Sequence, residues 1–226
     1  MNPIIITVDG WSSCGKSTLA RQLARELNYI FIDSGAMYRA ITLYFLREEV
    51  NIHDQEAIIS ALKNIHLAFY INPDNGNNEI WLNNENVEVL IRDMSIAQKV
   101  SQVAAIKEVR EFAVAKQQEI GRQKGIVMDG RDIGTAVFPQ AELKIFMTAS
   151  IPVRVERRFR ELLQKVPNIT LEEVRENLEQ RDHLDSTRDI SPLTKAEDAV
   201  VLDNSVLTPE EQFQLALGWA KQKISV

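Results

Sequence analysis

The run Gly10-Trp11-Ser12-Ser13-Cys14-Gly15-Lys16-Ser17 sets a glycine, then four residues, then glycine, lysine and a hydroxyl. That order is suited to phosphate. Backbone N–H groups of such a loop turn inward on a β-phosphate, the positive end of the following helix adds to them, and the lysine reaches the β- and γ-oxygens. The Ser17 hydroxyl then becomes a ligand for magnesium. A chance match in a glycine-bearing turn is the competing account, and the flanks weigh against it. Ile4 to Val8 is a β-branched run, apolar but for Thr7, and Ser17 to Leu27 carries apolar residues at helical spacing. Cys14, beside the start of that helix, is either an activated thiol or a buried, inert one.

Three further segments carry groups suited to anions. Asp33-Ser34-Gly35-Ala36-Met37-Tyr38-Arg39 offers a hydroxyl, a ring and a guanidinium just past a second apolar run. Ligands of open parallel sheets collect at such strand ends, so a second nucleotide fits here; a helix N-cap by Ser34 followed by a core tyrosine fits equally well. Asp129-Gly130-Arg131-Asp132 closes a third apolar run. It sets a carboxylate where it can orient magnesium-bound water and a cation where charge develops in phosphoryl transfer, with a plain Asp129–Arg131 ion pair as the alternative. Arg181, Asp185 and Arg188 recur at helical spacing and share one face, for a ligand or merely for solvent.

The elements that must position these groups alternate. Strand-like runs at 4–8, 29–32, 125–128, 143–147 and 200–202 are separated by helical patterns near 16–27, 36–48, 94–121, 152–164, 171–184 and 209–223. Such alternation predicts an α/β fold with a parallel sheet of about five strands flanked by helices. Residues 65–89 break it: two apolar runs flank the turn-rich Asn72-Pro73-Asp74-Asn75-Gly76-Asn77-Asn78, which predicts a small antiparallel β insertion.

Composition sets limits. A net charge of −6 argues against non-specific nucleic-acid binding, which needs a concentrated basic surface, so anions must be met by local groups. Arginine outnumbers lysine, and its planar fork grips phosphate bidentately. The single cysteine excludes an intramolecular disulfide and a cysteine metal cluster, and no run spans a membrane or forms a leader. The expectation is a cytoplasmic protein bound to neither nucleic acid nor membrane.

Taken together, the loop at 10–17, the run 33–39, Ser101-Gln102-Val103-Ala104-Ala105, the run 129–135, the 181–188 motif and Ser191-Pro192-Leu193 resemble the bacterial cytidylate kinase family, within the nucleoside monophosphate kinases. The resemblance covers nearly the whole length. The chain departs from the family pattern at Trp11, Ser13 and Cys14, where proline, glycine and a small residue are usual. The resemblance implies one P-loop kinase domain over 1–226. Its core is about 1–34, 122–151 and 190–226, its monophosphate-binding region about 35–121 with the β insertion at about 64–92, and its short helical lid about 152–189.

Carried over by position, the resemblance implies magnesium-assisted in-line transfer from ATP to CMP or dCMP. Gly10, Trp11, Ser12, Ser13, Cys14, Gly15, Lys16, Ser17 and Thr18 would hold ATP. Ser17 would hold magnesium, with Asp129 acting through water. Ser34, Arg39, Arg131 and Arg188 would grip the acceptor phosphate while Tyr38 shapes its pocket. Ser101, Arg110 and Asp132 would meet the cytosine, and Arg181 with Asp185 the ribose. Arg157 and Arg158 would bring lid charge to the phosphates, so the catalytic set is Lys16, Asp129, Arg131, Arg157, Arg158 and Arg188. A monomer is expected. Cytosine offers a donor at N4 and acceptors at N3 and O2, a match for a carboxylate and cationic donors. Another P-loop small-molecule kinase, or a non-catalytic ATP-binding regulatory module, shares the loop but leaves the cytosine set without a purpose.

Overall fold

The structure is a computed structural model that describes residues 2–164 and 166–225. In chain order its elements are β1 (Ile5–Gly10), α1 (Lys16–Leu27), β2 (Ile30–Asp33), α2 (Ser34–Arg47), α3 (Gln55–Lys63), β3 (Leu67–Ile71), β4 (Asn78–Leu82) and β5 (Glu85–Asn86). Then come α4 (Met94–Ala105), α5 (Lys107–Ile120), β6 (Ile126–Gly130), β7 (Leu143–Thr148), α6 (Ile151–Leu163), α7 (Leu171–Thr187), β8 (Val200–Asp203) and α8 (Pro209–Ile224). Five strands form one sheet in the order β2-β6-β1-β7-β8, and β3-β4-β5 form a second. β1 runs parallel to β6 and β7, and β7 parallel to β8, whereas β3 with β4 and β4 with β5 are antiparallel. This is the predicted α/β architecture with its small antiparallel insertion.

The chain divides into two units. One comprises the residues up to Phe31 with those from Lys124 onward, and the other is Ile32–Gln123. In the first, all six residues of β1 are buried, as a central parallel strand covered on both faces must be. Ile6, Val8, Leu19, Leu23, Val127, Ile145, Met147 and Ala216 form its core. Each fully buried aliphatic side chain of this kind contributes about 1.5–3 kcal/mol. α1 stops at Asn28, which takes the left-handed conformation at φ 54. α7 and α8 each start in a reciprocal cap, Thr170 with Glu173 and Thr208 with Glu211. A small separate cluster of Val155, Leu162 and Val174 joins α6 to α7.

The second unit has its own core, in which Met37, Ile41, Phe45, Ile58, Leu62, Ile80, Ile91 and Val109 pack together. It corrects the sequence reading at three points. The helical pattern at 94–121 is two helices, parted at Ile106, whose ψ of 129 is extended. Residues 55–63 form a helix that the reading did not include, started by Asp54, whose carboxylate accepts from the N–H groups of Glu56 and Ala57. The cap of α2 is Asp33 rather than Ser34: its carboxylate accepts from Ala36 N–H, and Ser34 is the first helical residue.

Candidate active site

β1 ends at Gly10 because nothing larger fits: at φ 147, a Cβ there would lie 2.0 Å from the Met147 carbonyl oxygen on the neighbouring strand. The chain turns away from the sheet, and α1 begins after Gly15 at φ 91, a left-handed conformation open to glycine. Between them Ser13 is also left-handed, at φ 58. The departure from glycine at this position therefore places an L-residue where it is strained, at a cost of about 1–2 kcal/mol.

Lys16 is buried, and its Nζ donates to the Trp11 carbonyl at 2.6 Å, folding the ammonium back across its own loop. Burial, followed by the charge of Arg131, lowers its pKa from the ordinary lysine value. Cys14 is fully buried and its Sγ donates to the same carbonyl at 3.0 Å, so the thiol belongs to the core and not to a reactive surface. Ser17 Oγ donates to Asp129 Oδ2 at 2.6 Å, joining the loop to the end of β6.

Past β6 the chain makes a five-residue π-turn, Ile133–Val137. Asp9, at the end of β1, holds its start: the two carboxylate oxygens accept from the N–H groups of Ile133 and Gly134 at 2.8 and 2.7 Å. Burial raises the Asp9 pKa to about 6, against the two N–H groups that lower it. Gly134 is required for this approach, since a Cβ would come within 2.8 Å of Thr7 Oγ1. The turn projects Arg131 and Asp132. Arg131 donates from Nη2 to Ser12 Oγ at 2.8 Å and from Nε to Asp185 Oδ2 at 2.7 Å. Arg188, capping the C-terminus of α7, pairs with Asp132 at 3.3 Å and with Asp185 at 3.9 Å. Burial would raise the pKa of Asp185, but Arg131, Arg188 and Arg181 together hold it below the usual carboxylate range. In this unit, then, Arg131, Asp132, Asp185 and Arg188 form one ion-paired network, the Ser17–Asp129 pair and the buried Lys16 feel its charges, and Arg181 acts on it through Asp185.

The lid arginines diverge. Arg157 donates from Nη1 to the Asn204 side-chain oxygen and from Nη2 to its carbonyl, both at 3.1 Å. Asn204 in turn donates to the Cys14 carbonyl at 2.8 Å and to Gln212 Oε1 at 2.7 Å. Arg158 instead forms a surface pair with Glu161 at 3.0 Å, outside this network.

In the second unit, Arg39 and Arg92 both reach Asp33 Oδ2, at 2.8 and 3.1 Å. Burial opposes its ionisation, but the two guanidiniums leave the Asp33 pKa below its ordinary value. Arg110 is buried with its guanidinium carbon 5.5 Å from the Tyr38 ring centre, and its Nη1 donates to the Ala104 carbonyl at 3.2 Å. Tyr38 is thus part of the core and the partner of a cation, both at once. Ser101 lies half-buried on α4, three residues before that carbonyl. Four polar residues escaped the sequence reading of the site: Arg92, Asn204, Asp9 and Asp182. A short apolar run ending in acid and glycine marked Asp9, and Asp182 lies within the 181–188 motif; nothing local marked Arg92 or Asn204.

A family model described as cytidylate kinase matches residues 6–222. A cytidylate kinase of Bacteroides fragilis is 53% identical over 215 residues, covering 94% of each chain. One from Flavobacterium psychrophilum is 53% identical over 220 residues, covering 96% of this chain and 97% of the relative. Another from Porphyromonas gingivalis is 51% identical over 215 residues, 93% of each.

Proposed function

From the chain's membership of the cytidylate kinase family, which the matches above show, we propose that it transfers the γ-phosphoryl group of ATP to CMP or dCMP, giving ADP and CDP or dCDP, with the loop at Gly10–Ser17 as donor site. The observation that carries the reading is the convergence of that loop with the one arginine-bearing segment that closes β6: Ser17 on Asp129, and Ser12 on Arg131.

In this reading the amides from Ser13 to Thr18 cradle the phosphates, and Lys16 exchanges the Trp11 carbonyl for β- and γ-oxygens. Arg131 and Arg188, already desolvated by their carboxylate partners, meet the charge that spreads over the transferred group, joined by Arg157 and Arg158 from a lid at about 152–189. The acceptor's phosphate oxygen is itself the nucleophile, so no general base is needed and placement carries most of the rate. Closing the lid excludes water that would hydrolyse ATP.

Magnesium fits the residues present. Ser17 Oγ and Asp129 are adjacent hard oxygen donors, and among the described residues no group of three or more His, Cys, Asp or Glu forms a metal cage. An ion that keeps its waters and takes phosphate oxygens needs no such cage. When bound, it neutralises charge on the β- and γ-phosphates.

For the acceptor, the proposed CMP-binding residues are Ser34, Tyr38, Arg39, Ser101, Arg110, Arg131, Asp132, Arg181, Asp185 and Arg188. The two guanidiniums on Asp33 and the desolvated Arg110 on Tyr38 support an anion and a base there. The enzyme acts as a monomer in the cytoplasm, where a lone thiol stays reduced. No helix among the described residues is long and apolar enough to cross a membrane.

Asp132 is the test. As the acceptor for the cytosine amine it opposes a uracil carbonyl, and sites built on such contacts discriminate by up to roughly 10⁴-fold. Asp132→Asn can turn its amide toward uracil and should narrow the CMP to UMP ratio of kcat/KM by at least about tenfold. An unchanged ratio, with both substrates slowed alike, would leave Asp132 only as the partner that orients Arg188.

A further inference from the structure

Every polar group of Ser12 is engaged. Its Oγ accepts from Arg131, its carbonyl accepts from Arg154 Nη1 at 3.3 Å, and its N–H donates to Asp182 Oδ1 at 3.4 Å. The last two partners are bonded to each other, Arg154 Nη1 to Asp182 Oδ2. Arg154 also donates from Nε to the Ala149 carbonyl at 3.0 Å, and its guanidinium lies 5.9 Å from the centre of the Trp11 ring. Side-chain exposures of 5% for Arg154 and 13% for Asp182 put the pair out of bulk water, where a charged contact is weakly screened.

Arg154 comes from α6 and Asp182 from α7, one turn beyond the buried Leu178. The two helices do not depend on this ion pair for their packing, since Val155, Leu162 and Val174 supply an apolar contact of their own. What the pair adds is a grip on one residue of the phosphate loop through both of its flanking peptides, the N–H on one side and the C=O on the other. Ser12 directly precedes the left-handed Ser13, the point at which the loop turns its amides inward.

We infer that Asp182, acting with Arg154, is a positioning residue that fixes the backbone on either side of Ser12 and thereby presents the loop's amides to the phosphates of ATP. The inference rests on the loop being the donor site. It makes α6 and α7 contributors to ATP affinity before any lid residue touches the nucleotide. Trp11, in place of the family's usual proline, sets its ring against the same guanidinium.

Asp182→Ala removes the acceptor and the charge; Asp182→Asn keeps an acceptor for the Ser12 N–H and loses only the charge on Arg154. ATP binding is measured by calorimetry with magnesium, alongside KM for ATP, KM for CMP, kcat and urea unfolding. The expected result is a rise in ATP Kd and KM of on the order of tenfold for Asp182→Ala and about threefold for Asp182→Asn, with KM for CMP unmoved. A folded Asp182→Ala protein that binds ATP as the wild type does would overturn the inference. So would an equal rise in KM for both nucleotides, which marks a brace for α7 alone. If Asp182→Ala does not fold, the asparagine variant decides, and unchanged ATP affinity in it counts against the proposal. Failure of the wild type to bind ATP would instead remove the donor-site reading beneath it.

Discussion

Replacing Asp9 by asparagine should change how the stability of this protein depends on pH. The carboxyl is buried, and its pKa is raised from 3.8 to about 6, by burial first and by the nearby Asp132 in smaller part. As pH climbs past the lower value, the unfolded chain releases this proton while the folded protein keeps it. The unfolded state then binds fewer protons, so the contribution of Asp9 to stability is full below pH 3.8 and falls until about 6. The gap corresponds to roughly 3 kcal/mol at about 1.4 kcal/mol per pH unit. Asp33 and Asp185, held below their ordinary range, act in the opposite sense, with stability present above the unfolded value and lost in acid. The informative quantity is therefore the difference between wild type and Asp9→Asn. Asparagine can accept from only one of the Ile133 and Gly134 N–H groups, which adds a penalty of about 1–3 kcal/mol that does not vary with pH. Urea unfolding of both proteins at constant ionic strength, from about pH 4 to about pH 7, should show the wild-type advantage shrinking by roughly 2.5 kcal/mol, most of the full gap. A difference that is flat, or that grows with pH, would refute the assignment of a desolvated, late-titrating carboxyl to Asp9.

Two further outcomes follow from the loop. Ser13→Gly relieves a left-handed L-residue at φ 58 and gives back about 0.4–1 kcal/mol to the freer unfolded chain, so a net gain of about 0.5–1 kcal/mol is expected in urea unfolding; lower stability would mean that the Ser13 side chain makes a compensating contact. Cys14 is fully buried, so iodoacetamide should label the native protein at least about a hundredfold more slowly than the urea-unfolded one; comparable rates would place the thiol at the surface.

The strand, loop and helix of residues 5–27 could be read from the chain because their signals are local: a short apolar run, two glycines at a fixed spacing before a lysine, and apolar residues at helical spacing. The order of strands and helices came from the same alternation. What could not be read has causes that are not local. Arg154 and Asp182 are 28 positions apart, and neither is distinguishable in sequence from the arginines and acids on the solvent side of the same helices. Arg157 and Arg158 are adjacent, yet one lies on Asn204 and the other on a surface glutamate, because a helix turns about 100° between them. The break at Ile106 has no glycine or proline to mark it. α3 carries a weaker signal, Asp54 ahead of Ile58, Ala61 and Leu62 at helical spacing, beside the stronger β pattern that follows. Asp33 competes with Ser34 for one cap, and the carboxylate, carrying two guanidiniums as well, takes it.

ADP release by the purified protein, with ATP and magnesium and a panel of CMP, dCMP, UMP, AMP and GMP as acceptors, bears on whether these parts serve cytidylate transfer. CMP and dCMP should turn over with the highest kcat/KM, UMP well below them, and the purine monophosphates at background. Equal turnover of AMP or GMP, or ATP binding with no acceptor-dependent ADP release at all, would contradict it.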